Sequence, residues 1–221
     1  MYGTSEVKAD AGRPNYLAGI TENVELSKVA YENSKQDGSG KDVLTFTFSA
    51  PNGSQFRKIF WDIDPTRVAK LNQDYPSTHS RDNKEKGYVK GQTKTDAQAI
   101  EIAYDDFNRN IKHILTKYMS EEDAMIKNVN SYKEFAQQIV KKLAGKYEGK
   151  KMRLKTIYNK NGYLDTPRFG NYIEPMSVES SNITWNDLYD NKTRNTPTSE
   201  ETVAEAAFSG DGVEVTNDLP F

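Results

Sequence analysis

The residues best suited to chemistry in this chain are aromatic and basic, and they interleave. Phe56-Arg57-Lys58-Ile59-Phe60-Trp61 is one such stretch, and Arg153-Leu154-Lys155-Thr156-Ile157-Tyr158 is a second, with Lys160 close behind. Tyr163, Arg168, Phe169 and Tyr172 form a third. A groove that grips an unpaired strand needs cations for phosphates and ring faces for bases, and each stacked base contributes about 1–3 kcal/mol. Counterions released from the backbone add affinity that falls as salt rises. Duplex DNA hides its bases, so this pattern suits a single strand. The candidate interface is therefore Arg57, Lys58, Phe60 and Trp61 with Arg153, Lys155, Tyr158 and Lys160, then Tyr163, Arg168, Phe169 and Tyr172.

Other chemistries are poorly supplied. Cys is absent and only His79 and His113 are present, which excludes thiol nucleophiles and Cys-ligated zinc and leaves little for a His-based site. Gly38-Ser39-Gly40-Lys41-Asp42 lacks the leading Gly and the hydroxyl after Lys that a phosphate loop needs, and reads as a turn. Asp62-Ile63-Asp64 offers two carboxylates to a divalent metal, but an aspartate turn ahead of Pro65 is the simpler reading. We expect no enzyme and no cofactor.

Strands must carry most of these residues. Ile20 to Tyr31 alternates with a slip that reads as a bulge, Asp42–Ala50 is β-branched and aromatic, and Gln55–Ile63 follows the Pro51-Asn52-Gly53 turn. Alternate strand residues face a core, so Phe46 and Phe48 read as packing residues. Phe60 and Trp61 point to opposite faces. Ile59 and Ile63 share the parity of Trp61, which favours Trp61 as core. Lys58 shares that of Phe60, which favours Phe60 as the exposed ring. A bulge reverses the assignment, so both rings remain candidates. Arg153 and Lys155 share a face opposite Met152 and Leu154, and serve as the foremost phosphate contacts.

Between these strands lies a helical stretch. Thr66–Tyr75 reads as a short helix and 76–94 as a polar loop. Thr95 with Gln98 fits a capping box, Ser120 with Asp123 a second helix start, and Ser131 with Glu134 a third, closed by Gly145. Strand character returns at Lys151, and Asn159-Lys160-Asn161-Gly162 turns the chain into a return strand over Tyr163–Ile173. Three strands, a helical insertion and two more strands predict an α+β chain. Its core would be a five-stranded antiparallel OB-fold barrel with the insertion between strands 3 and 4. The expected organisation is a flexible arm over 1–18, the barrel domain over 19–175 with its insertion at about 65–148, a polar linker over 176–195 and a disordered acidic tail over 196–221.

Charge follows the same division. Residues 196–221 hold six acids and no Lys or Arg, which leaves 30 basic and 26 acidic residues in 1–195. Within 141–168 nine bases meet only Glu148 and Asp165. A basic body with an acidic end suits a polyanion binder that carries an interaction tail. The tail closes on Asp218-Leu219-Pro220-Phe221, and a terminal ring with its carboxylate suits a small basic pocket on a protein partner.

Those last four residues resemble the acidic tail tip of bacterial single-stranded DNA-binding proteins, which ends in Asp-Ile-Pro-Phe. The body resembles phage-encoded single-stranded DNA-binding proteins through Ala18-Gly19-Ile20-Thr21-Glu22-Asn23-Val24-Glu25-Leu26, Leu44-Thr45-Phe46-Thr47-Phe48, Gly162-Tyr163-Leu164 and Pro167-Arg168-Phe169-Gly170. The resemblance implies coating and protection of single-stranded DNA during replication, recombination and repair. It also implies recruitment of replication and recombination proteins by Asp218, Leu219, Pro220 and Phe221. The helical insertion is absent from the common bacterial protein, so its oligomeric state is not carried over and a homo-oligomer stays open. No apolar run long enough to cross a membrane and no secretory signal is present, so the expected compartment is the cytoplasm, that of the host if the protein is phage-encoded. The rival readings are a structural or adaptor module that binds protein, and a metal nuclease using Asp62 and Asp64.

Overall fold

The computed structural model describes residues 15–35, 38, 40–127, 129–159 and 162–186. Much of the N-terminal arm, Lys160 and the whole acidic tail with Asp218–Phe221 lie outside the described residues. Six antiparallel strands form one sheet: β1 (Gly19–Asn33), β2 (Asp42–Ser49), β3 (Gln55–Phe60), β4 (Lys151–Tyr158), β5 (Leu164–Asp165) and β6 (Ile173–Pro175). Their order is β3-β2-β1-β4-β5, with β6 also paired to β4. Strand β1 serves two neighbours. Its first half pairs with β4 and its second with β2, with register slips between Thr21 and Val24 and between Leu26 and Lys28. The first slip holds Asn23 at φ 56°, a left-handed conformation that Asn tolerates better than most residues. The bulge expected in this strand is therefore present, and the strand is longer than its alternation suggested.

The expected OB-fold barrel is overturned, because the sheet is open. Among the described residues strand β3 pairs only with β2, and β5 only with β4. The reason lies in the return segment. Pro167 has no N–H for a ladder and Gly170 sits at φ 84°. The eleven-residue strand expected over Tyr163–Ile173 therefore splits into a two-residue β5 and a three-residue β6, which leave and rejoin the same edge of β4. Too little strand remains to ladder onto β3. Between the two edges stands a side-chain tie, Lys58 Nζ to Asp165 Oδ1 at 2.5 Å. Identification with OB-fold single-stranded DNA-binding proteins falls with the barrel.

The helical region between β3 and β4 is present. Asp64 caps α1 (Pro65–Asp74) by accepting from the Thr66 and Arg67 amides at 3.0 and 3.1 Å. Thr95 and Gln98 form the capping box of α2 (Asp96–Leu115), and Ser131 caps α3 (Tyr132–Leu143). The start expected at Ser120 yields a turn only: the Asp123 amide donates to Ser120 Oγ at 3.1 Å, and the chain then leaves helical geometry. Ile111, Ile114, Leu115, Ile139 and Leu143 bring the last turns of α2 and the body of α3 onto one sheet face, built by Leu26, Phe46, Phe48, Phe56, Phe60, Met152 and Leu154. No helix among the described residues is long and apolar enough to cross a membrane.

One contact locks the insertion to the sheet. Leu44 and Phe60 stand opposite each other at the end of the β2–β3 ladder. The Tyr132 hydroxyl accepts from the Leu44 amide at 2.8 Å and donates to the Phe60 carbonyl. Burial pushes this hydroxyl up to about 12, so it keeps the proton it donates. Tyr132→Phe leaves one backbone donor and one acceptor without a partner and is expected to cost about 1–3 kcal/mol. Urea unfolding would measure it, and an unchanged midpoint would show that water replaces the hydroxyl.

Candidate nucleic-acid interface

Strand β3 sorts its side chains by parity. Phe56, Lys58 and Phe60 face the helices, opposite Phe48, Phe46 and Leu44. Gln55, Arg57 and Ile59 face away, and Trp61 follows just past the strand's end. Phe60 is 6% exposed and Trp61 49%. Of the two rings left open by the sequence, Trp61 is the one available to a ligand. Lys58 is on the core face, and its side chain is only 14% exposed. Its ammonium stands 5.4 Å from the Phe60 ring centre and reaches Asp165.

Beside this edge runs a groove of about 1320 Å³, walled on one side by Lys58, Phe60 and Trp61 and on the other by α1 and α2 through Arg67, Leu71 and Asp106. Lys41 and Tyr31 close one end. The groove's four aspartates do not all face it as free charges. Asp106 is held by Arg109 at 2.6 Å and by Arg168, whereas Asp64 keeps its charge while capping α1, and Asp42 and Asp62 stand in the lining beside Lys41 and Arg67. Arg67 is exposed and makes no ion pair among the described residues. Arg168 itself has a 65% exposed side chain and lies 5.2 Å from the centre of the Phe169 ring, which is 66% exposed. Tyr163, two residues before the aspartate that ties β5 to β3, is 71% exposed. The ion pairs Lys58–Asp165 and Arg168–Asp106 thus bring Arg168 and its neighbour Phe169 toward the sheet edge that carries Lys58 and Trp61, while Tyr163 does not line the groove.

The remaining candidates lie elsewhere. Arg57 is on the opposite face of β3, where it reaches Glu32 at 2.8 Å. Tyr172 is 2% exposed, donates to the Asn110 carbonyl at 3.2 Å and has its ring 4.7 Å from that of His113, so it is a core residue. Burial and the charge of Lys117 push His113 down to about 4, which keeps this imidazole neutral inside the fold. Tyr158 pairs with Leu164 at the hairpin and is half-buried.

Arg153 and Lys155 do share a face opposite Met152 and Leu154, but other chain covers it. Arg153 Nη1 meets Glu174 at 2.5 Å and its Nε meets Glu22 at 3.1 Å. Burial works against the Glu174 charge. Hydrogen bonds from Ser181, Arg153 and the Asn182 amide outweigh it and hold the carboxyl below its ordinary range. Lys155 is 8% exposed, donates to the Thr184 carbonyl at 2.7 Å and lies 5.5 Å from the Trp185 ring centre. Both cations therefore fasten segment 174–185 to β4. Arg153→Met is expected to lower the unfolding midpoint and to leave the salt dependence of DNA binding as in the wild type. A variant of wild-type stability with a flattened salt slope would instead put Arg153 on the phosphates.

Sequence reasoning missed Arg67, Lys41 and Tyr31. No local pattern reports that a helix one turn past β3 folds back to face it, and the Asp64-Pro65 helix start was the only available signal. Among the described residues no group of three or more His, Asp or Glu side chains is placed to hold a metal ion. No protein-family model, curated protein or solved structure matches the chain.

Proposed function

We propose that this protein binds single-stranded DNA without strong sequence preference, through the groove beside the β3 edge. The observation that carries the reading is the half-exposed Trp61 in a groove that also presents the exposed Arg67, with Arg168 and Phe169 at its rim and Lys58 behind, paired with Asp165. A ring at the mouth offers a stacking face to any base, and flanking cations offer partners to a backbone whatever its sequence. The groove is open rather than enclosed by side chains that could read one base edge, which suits low specificity. The acidic segment 196–221 supplies the second half of the proposal. Its six acids would keep it off the DNA path, and Leu219-Pro220-Phe221 gives replication or recombination proteins an apolar anchor.

The test is titration with oligo-dT, oligo-dA and duplex at several salt concentrations, read by tryptophan quenching. Single-strand preference, affinity that falls with salt and quenching without added metal are expected. Equal or absent binding of all three would leave the protein-adaptor reading in its place, and cleavage on adding magnesium would leave the nuclease reading.

A further inference from the structure

The groove opens into a second depression. A recess of about 380 Å³ lies between the middle of α2, the chain entering α3 and the residues after β3. It shares Asp62, Ile63, Phe107 and Tyr132 with the groove, so the two are continuous. Trp61, which lines the groove, directly precedes Asp62 in the chain.

The floor of the recess is fixed. The Phe107 ring lies 6.2 Å from that of Tyr132 and 5.8 Å from that of Phe135, and all three pack against the buried cluster. The Tyr132 hydroxyl is held between Leu44 and Phe60. The rim is not engaged in this way. Tyr104, one turn before Phe107 on α2, is 40% exposed and lies outside the buried cluster. Its ring has no hydrogen bond or ring contact among the described residues. Asp62 and Asn108 are exposed too, and neither side chain has a hydrogen-bond or ion-pair partner among the described residues.

The lining selects what can enter. No Lys or Arg lines the recess among the described residues, and the Asp62 carboxylate repels a phosphate or another acid. A ring at the rim, Ile63 and Ile126 on the walls and a carboxylate near an amide suit a neutral, flat group with N–H donors at its edge. A nucleobase is such a group. An ionised carboxylate only accepts, and it pairs well with the N4 amino group of cytosine, whereas thymine carries the O4 acceptor there. The cation for the backbone stands next door, where Arg67 lines the groove.

Resting on the single-strand reading, we propose that this recess takes one base of the bound strand, beside the base on Trp61. The base stacks on Tyr104, gives its exocyclic amino hydrogen bond to Asp62 and leaves its phosphate in the groove. Asn108 donates to the acceptor beside the amino group. The groove is then blind to sequence at every position but this one, where cytosine is favoured over thymine.

The experiment follows labelled oligo-dC and oligo-dT of about 16 nucleotides by anisotropy at neutral pH. The wild type is expected to bind oligo-dC about tenfold more tightly, the effect of one hydrogen bond to a charged acceptor. Asp62→Ala should abolish this preference and tighten oligo-dT, because a negative charge leaves the DNA path. Tyr104→Ala should weaken oligo-dC about tenfold without lowering the melting temperature, since the ring is outside the core. Trp61→Ala should weaken both strands and keep the preference. The proposal fails alone if oligo-dT binds and weakens in Trp61→Ala while the wild type shows no preference. It fails in the same way if the preference survives Asp62→Ala, or if Tyr104→Ala binds oligo-dC like the wild type. If the wild type binds neither oligonucleotide, the proposed function fails with it.

Discussion

Trp61→Ala is expected to weaken oligo-dT binding about 5- to 150-fold, the range set by one stacked base at about 1–3 kcal/mol, while the unfolding midpoint stays where it was. Both halves follow from position. Trp61 is 49% exposed and absent from the buried cluster, so its removal opens no cavity in the core. It lines the groove with Lys58 and Arg67, so its loss removes a ring face and leaves the cations in place. The salt slope should therefore be unchanged while the affinity drops. Trp61→Phe, which keeps a smaller ring, should recover part of the loss. The chain has a second tryptophan, Trp185, which lies against Lys155 on the covered face of β4. A Trp185→Phe background assigns the quenching to Trp61. Undiminished affinity in Trp61→Ala would remove the groove from the DNA path.

How much of this was legible depended on how local the determining contacts are. The helix starts at Thr95 and Ser131 were readable because a cap is set within four residues. The β-branched and aromatic run of β2 was readable for the same reason. Closure of the sheet was not, because it depends on whether the return strand is long enough to pair with β3. Pro167 and Gly170 were visible as interruptions, but not the return of the chain to β4 at Ile173 rather than to β3. Arg153 and Lys155 were placed on the correct face, opposite Met152 and Leu154. What covers that face arrives from Glu174 and residues 181–185, and no strand periodicity reports a segment that lies across it. For Phe60 and Trp61 the parity was right and the choice of face was misleading. Ile59 is apolar but sits half-buried on the outward face across from Thr45. Lys58 is charged but lies on the core face, where Asp165 meets its charge.

Phe60→Ala should show a different balance from its neighbour: a stability loss of about 3–5 kcal/mol, the usual cost of emptying a buried aromatic site, with binding by the folded fraction weakened less than in Trp61→Ala, because Phe60 lines the groove but is only 6% exposed. The Phe60 ring meets Phe46 at 5.6 Å and Phe107 at 5.9 Å, both edge-on, so one side chain joins β2, β3 and α2. Phe107 continues the cluster to Tyr132 and Phe135. The cavity cannot collapse easily, because the Phe60 carbonyl is held by Tyr132 and the ladder holds the strand to β2. For a chain of this size, a loss of that order lowers the melting temperature by roughly 10 °C. Phe60→Leu, which refills most of the volume, should restore most of it. Thermal unfolding and oligo-dT titration of the same samples separate the two adjacent rings: one variant loses mostly stability, the other affinity. A Phe60→Ala protein that melts like the wild type but no longer binds DNA would make Phe60, and not Trp61, the ring that the strand stacks on in this groove.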